Sequence, residues 1–173
     1  MNKAIFFDRD GTLNVEVNYL HKKEEFIWTD GAVEAIKYCN DNGYLAIVVT
    51  NQSGVARGYY PESAIMELYS WMNSQLAEAG AHLDGIYYCP HYPQGIIPKY
   101  AVECDCRKPK PGMLIQAARE QNIDLAASYL IGDGARDVEC AKAAGVYGIR
   151  YTGGNLYESL IAGIMQNQRN GAR

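Results

Sequence analysis

The chain has 173 residues, 48% of them hydrophobic and 21% charged, which fits one soluble globular domain spanning 1–173 with a sizeable core. Its formal charge of −4 and pI near 5.4 come without a basic stripe, so no nucleic-acid partner is expected. The opening MNKAIFF is broken by Asp8 and no apolar run approaches the ~18 residues of a membrane span, so neither a signal peptide nor a membrane partner is expected, and the expected location is cytoplasmic.

In chain order, Ala4 to Phe7 reads as a first strand. Ala32, Val33, Ile36, Tyr38 and Cys39 fall near helical spacing and stop at Asn42-Gly43. Leu45 to Val49 (LAIVV) is a continuous apolar run, as in a strand covered on both faces. Pro61-Glu62 opens a long helix with Ile65, Leu68, Tyr69, Met72 and Leu76 on one side. Gly85 to Tyr88 is a strand, Gly112 to Gln121 a helix, Tyr129 to Ile131 a strand and Arg136 to Ala144 a helix. Gly148 to Tyr151 is a last strand, Asn155 to Met165 a closing helix, and QNQRNGAR a loose tail. Alternation of β and α elements implies an α/β fold with a doubly wound parallel sheet. The stretch from about Cys89 to Pro111, rich in Pro, Cys and Lys, breaks this rhythm and needs something to hold it.

Ligands of open parallel sheets bind outside the carboxyl ends of the strands. Asp8 and Asp10 follow the first strand in IFFDRDGTLN. Thr50, Asn51, Gln52 and Ser53 follow the second, and Asp133 and Asp137 a later one. An isolated DxD is more often a polar turn than a site. Here three equivalent strand ends bring acids and a hydroxyl toward one pocket. Two carboxylates so close repel, and a divalent cation, or a chemistry in which one attacks and one shuttles a proton, would relieve them.

The irregular stretch holds Cys89-x-His91, twelve residues, then Cys104-x-Cys106. Two close pairs of soft or borderline ligands suit a tetrahedral Zn²⁺ with no open position. The bland alternative is unrelated buried thiols, although a loop is a poor place for three of them. Cys39 and Cys140 lie in helical patterns and read as core.

DRDGT, Thr50, Lys108 and GDGARD, in this order, resemble the motifs of haloacid dehalogenase (HAD)-type phosphohydrolases over nearly the whole chain. The resemblance implies a Rossmann-like core, with Asp8 as nucleophile and Asp10 as general acid/base. Thr50 and Lys108 would contact the phosphoryl oxygens, and Mg²⁺ would sit on Asp8, the Asp10 carbonyl and Asp133. The zinc-bearing loop further resembles the histidinol-phosphatase and heptose-bisphosphate-phosphatase branch, which lacks a large cap domain. CDCRKPKPGM and the twelve-residue spacing look more like the heptose enzymes. That branch implies a small-molecule sugar bisphosphate cleaved at its C7 phosphate, with Arg107 holding the phosphate that stays. Glu16, Val17, Asn18, Tyr19, Asn51, Gln52 and Ser53 would line the remaining site, in an enzyme expected to be a monomer. Gly134 stands where close relatives often carry lysine. The runner-up is a histidinol-phosphate or general sugar-phosphate phosphatase. Two readings of other classes, a receiver-like phosphoacceptor domain and a zinc-ribbon interaction module, fit less well. A receiver places its acceptor after the third strand, and a zinc ribbon gives no reason for the acid-rich pocket.

Overall fold

A computed structural model describes residues 1–171. Strands β1 (Lys3–Phe7), β2 (Tyr44–Asn51), β3 (Gly85–Cys89), β4 (Tyr129–Gly132) and β5 (Tyr147–Arg150) form one parallel sheet ordered β3-β2-β1-β4-β5. Helices α1 (Ala32–Asp41), α2 (Ser63–Glu78), α3 (Gly112–Gln121), α4 (Ala135–Ala144) and α5 (Leu156–Gly171) connect and close it.

The strand period of two divides β1 between two cores. Ile5 and Phe7 pack with α1, α2 and α5 through Ile36, Met72 and Leu160. Ala4 and Phe6 face the other way, onto Met113 and Leu114 of α3 and Cys140 of α4. Both faces of the sheet are thus covered, which is why its central strands read as unbroken apolar runs. Cys39 and Cys140 lie in these cores, as their helical spacing implied.

The chain winds outward from β1 to β2 and β3 on one side, then returns to β4 and β5 on the other. The reversal lies between β1 and β4, so Asp8 and Asp133 emerge side by side where such sheets open a crevice. Gly11 makes this approach possible. Its φ is 83°, and a Cβ there would collide with the Asp133 carboxylate.

Two C-terminal boundaries differ from the sequence reading by two residues or more. β2 runs on through Thr50 and Asn51, because these residues still pair with Tyr88 and Cys89 of β3. The tail QNQRNGAR is helical through Gly171, its last two residues lying outside those described. Buried Ile164 seats this end of α5, and hydrogen bonds from Asn167 Nδ2 to the Tyr129 hydroxyl (3.3 Å) and from Gln166 to Asn170 (3.0 Å) continue it.

Candidate active site and metal cluster

Asp8, Asp10, Lys108 and Asp133 line one cavity of about 320 Å³ at the carboxyl ends of the strands. Lys108 is the hub. It is 3% exposed, and its ammonium donates to Asp8 Oδ1 (2.8 Å), Asp137 Oδ1 (2.7 Å) and the Val49 carbonyl (2.8 Å). Those three acceptors match its three protons. Burial works against its charge, but Asp8 and Asp137 outweigh it and hold Lys108 above the ordinary lysine value. Burial pushes the Asp8 carboxyl up to about 8, with Lys108 pulling down and Asp137 and Asp133 adding to the rise. One buried lysine therefore does not offset the cost of burying the Asp8 charge, and further positive charge would favour the Asp8 carboxylate.

Asp10 sits among donors: Arg9 Nη2 at 3.1 Å, Asn14 Nδ2 at 3.2 Å and Gln52 Nε2 at 3.0 Å. Arg9 is 1% exposed and also donates to the Leu20 carbonyl at 2.7 Å, which ties the loop after β1 across the site. Gln52 donates to the Thr50 hydroxyl (2.8 Å) and accepts from the Tyr60 hydroxyl (2.5 Å). Thr12 is fully buried; its hydroxyl accepts from the Asp133 amide at 3.1 Å and lies 3.4 Å from both Asp8 Oδ2 and Asp133 Oδ1. The acids are therefore held by a fitted shell of donors and not simply crowded together.

Oxygens of Asp8, Asp133 and Asp137 lie within 4.8 Å of one another, a donor set suited to a hard divalent cation. Asp137 differs from the other two. Its Oδ1 takes the Lys108 ammonium and its Oδ2 the Gly134 amide at 3.0 Å, so both oxygens are engaged by the protein.

Cys89, His91, Cys104 and Cys106 converge as one cluster, all four ligand atoms within 4.8 Å of one another. Cys89 Sγ is 3.6 Å from both His91 Nδ1 and Cys104 Sγ, and His91 Nδ1 is 3.3 Å from Cys106 Sγ. Ligands around a tetrahedral zinc stand about 3.4–3.8 Å apart, given the usual bond lengths, so the residues fit that ion. The Cys106 thiol is pulled down to about 5, chiefly by the Cys89 contact and then by His91 and Cys104, against burial.

Of the residues expected from sequence, Glu16, Asn18, Tyr19, Asn51, Gln52, Ser53 and Arg107 line the cavity with the acids and Lys108. Burial, with the charges of Asp10 and Asp133, raises the Glu16 carboxyl, while Arg9 and Arg136 oppose the shift. The Val17 side chain does not line the cavity but packs against the core that α1 and α2 cover, as suits an apolar group. Thr50, 1% exposed, lies behind the lining with its hydroxyl on Gln52. The Asn51 amide is engaged at both ends by the Lys108 backbone, and Ser53 Oγ accepts from Arg57 Nε at 3.3 Å. Arg57, Tyr60 and Arg136 also line the cavity, and the sequence reading did not single them out. Only their nearness to motif residues marked them.

A family model described as HAD-hydrolase-like matches residues 105–167. The chain is 51% identical over 144 residues to D-glycero-beta-D-manno-heptose-1,7-bisphosphate 7-phosphatase of Pasteurella multocida (strain Pm70), covering 83% of this chain and 78% of that protein. The chain belongs to this family of HAD-like phosphatases. The family member of Escherichia coli (strain K12), with the same name, is 48% identical over 143 residues, covering 83% of this chain and 75% of that one. Among solved structures, D,D-heptose 1,7-bisphosphate phosphatase from B. bronchiseptica, complexed with magnesium and phosphate, superposes with a TM-score of 0.77. It is 34% identical, covering 92% of this chain and 86% of that one.

Proposed function

We propose that this enzyme hydrolyses the C7 phosphate of D-glycero-D-manno-heptose 1,7-bisphosphate through an aspartyl-phosphate intermediate. The observation that carries the reading is the Lys108–Asp8 contact of 2.8 Å inside an acid-lined cavity whose rim holds Arg107. The family's named activity supports the choice of sugar.

An Asp8 carboxylate oxygen attacks phosphorus as the bond from phosphorus to the C7 oxygen breaks, and Asp10 donates the proton that the leaving oxygen needs. Asp10, now a carboxylate, takes a proton from water as that water attacks the acyl phosphate. The products are inorganic phosphate, the heptose 1-phosphate and Asp8 as it began. Lys108 and Thr50 hydrogen-bond the phosphoryl oxygens as charge shifts among them. For Thr50 this requires the Gln52 amide to share its hydroxyl.

Asp8, Asp133 and the Asp10 carbonyl would hold Mg²⁺, which supplies neutralising charge to the phosphoryl group and its two flanking carboxylates. Cys89, His91, Cys104 and Cys106 would hold a structural Zn²⁺ that fixes the backbone carrying Arg107 and Lys108. Glu16, Asn18, Tyr19 and Ser53 form the rim around the sugar. Five cysteines without a disulfide suit the reducing cytoplasm.

The test is phosphate release from both anomers of the heptose bisphosphate and from histidinol phosphate, with Mg²⁺ present. Preferential release from a bisphosphate is expected. A preference for histidinol phosphate would move the enzyme to the neighbouring activity.

A further inference from the structure

Arg107 is not the only guanidinium at the rim. Arg57, on the loop between β2 and α2, lines the same cavity, and Tyr92 stands beside both arginines. The Arg57 Cζ is 4.0 Å from the centroid of the Tyr92 ring, and the Arg107 Cζ is 5.2 Å from it. A second aromatic, Tyr19, has its centroid 5.6 Å from Arg57 and is itself braced edge-on by Tyr59 at 4.7 Å.

The loops that carry these groups are tied together by their backbones. The Ala56 carbonyl accepts from the amides of Ile96 (2.8 Å) and Ile97 (3.0 Å), so Arg57 is anchored to the loop that bears Tyr92. Gly95 permits the contact, since a Cβ there would overlap Ala56. Arg57 Nε reaches Ser53 Oγ (3.3 Å) and Arg107 Nη1 the His91 carbonyl (3.4 Å). Among the described residues, neither guanidinium forms an ion pair with a carboxylate. Two unpaired cations have been gathered around one ring in a protein whose net charge is −4. Two cations sharing one ring repel, an anion that both could reach would relieve the repulsion, and the aromatic face steadies each of them meanwhile.

We propose that Arg57 and Arg107 act as one two-guanidinium clamp on the phosphate the substrate keeps, and that Tyr92 is the positioning residue that holds the clamp open. The proposal rests on the bisphosphate reading given above. Arg57 is then a specificity-determining residue. Its planar fork adds a second pair of donors to a phosphate that Arg107 alone would grip from one side. A monoester without a second phosphate leaves the clamp empty and gains nothing from it.

The test compares KM for heptose 1,7-bisphosphate and for p-nitrophenyl phosphate in the wild type, R57M, Y92L and Y92F. R57M should raise KM for the bisphosphate about tenfold to a hundredfold, the loss expected when charged hydrogen bonds go, and move the monoester KM less than about threefold. Y92L should show the same split more weakly and Y92F should not, because the ring and not the hydroxyl faces the cations. The double variant R57M/R107M should lose less than the product of the two single losses, as expected of residues acting as a unit. Zinc content and melting temperature separate this from a collapsed loop in Y92L, and R57M does not touch that loop's metal ligands. A wild type that prefers the bisphosphate, with R57M retaining the preference, overturns the clamp alone. A wild type with no preference for the bisphosphate overturns the clamp and the substrate reading together.

Discussion

Asn51 holds the main chain of Lys108 at both ends. Its Nδ2 donates to the Lys108 carbonyl at 3.1 Å and its Oδ1 accepts from the Lys108 amide at 3.0 Å. A side chain at the end of β2 thereby fixes a backbone unit 57 residues further along.

Replacing Asn51 with alanine should free that unit without removing the lysine. A misplacement of about 1 Å is enough to cost on the order of a hundredfold in rate, so kcat should fall strongly on any phosphate ester. Two lost hydrogen bonds should also lower stability by roughly 1–3 kcal/mol. Asn51→Asp should be no better, since a carboxylate would face the Lys108 carbonyl. Steady-state rates and urea unfolding of both variants check this; a near-native kcat in N51A would make Asn51 a bystander.

Asp137 is expected to matter through Lys108. Lys108 and Asp137 are each 1% exposed at the side chain, and both Asp137 oxygens face donors. In Asp137→Asn one of those donors would meet an amide NH₂ instead of an acceptor. Breaking a buried pair from one side costs about 3–5 kcal/mol, so unfolding should shift markedly to lower denaturant and kcat should drop with it. A fully stable, fully active D137N would mean that Asp8 and Val49 hold the lysine unaided.

For the chemistry itself, Asp8→Asn should abolish turnover in a chain that still folds, because the amide keeps the shape and loses the attacking charge. Asp10→Asn should reduce kcat by roughly 10²–10⁴-fold, the usual worth of a positioned proton donor. Substantial turnover by D8N would rule out the covalent route.

Protein purified without chelator should contain about one zinc per chain, the complement of one closed four-ligand site. Cys104→Ser should lose that metal, with stability and rate falling together because the loop ends at Arg107 and Lys108. Elemental analysis before and after the substitution is the measurement. Wild-type protein free of zinc would leave the four ligands without this role.

Glu62 links the same loop to α2 by accepting the hydroxyls of Tyr100 (2.6 Å) and Tyr88 (2.7 Å). Tyr100 first, then Tyr88, hold its carboxyl below the ordinary glutamate value of 4.5. A lowered native value means that the contribution is complete above the unfolded value and is lost as pH falls through the native one. Glu62→Gln should therefore destabilise the protein at neutral pH, and the gap in melting temperature from wild type should close as pH falls from 4.5 through the lower native value. A gap that stays constant with pH would show that the charge of Glu62 is irrelevant.

The fold was largely readable because its signals are local. LAIVV looks like a strand covered on both faces, and both cores do cover it. DRDGT, the GDGARD acids and the paired Cys and His residues also announce themselves by spacing. What stayed hidden depends on contacts between distant segments. Val17 sits in a run of rim residues, and only the fold shows its side chain turning to the core. Arg57 looks like any loop arginine until Tyr92 is brought against it. The helical tail lacks a strong apolar stripe, and Asn167 reaching Tyr129 is invisible from the sequence alone.

The Lys108 ammonium joins positions 100, 59 and 29 residues away in the chain, through Asp8, Val49 and Asp137. No fragment ending before α4 can complete it, and neither half of the sheet makes the site alone. Regain of catalysis during refolding should therefore trail the appearance of secondary structure and coincide with the final joining of the two halves, making turnover a reporter of complete assembly.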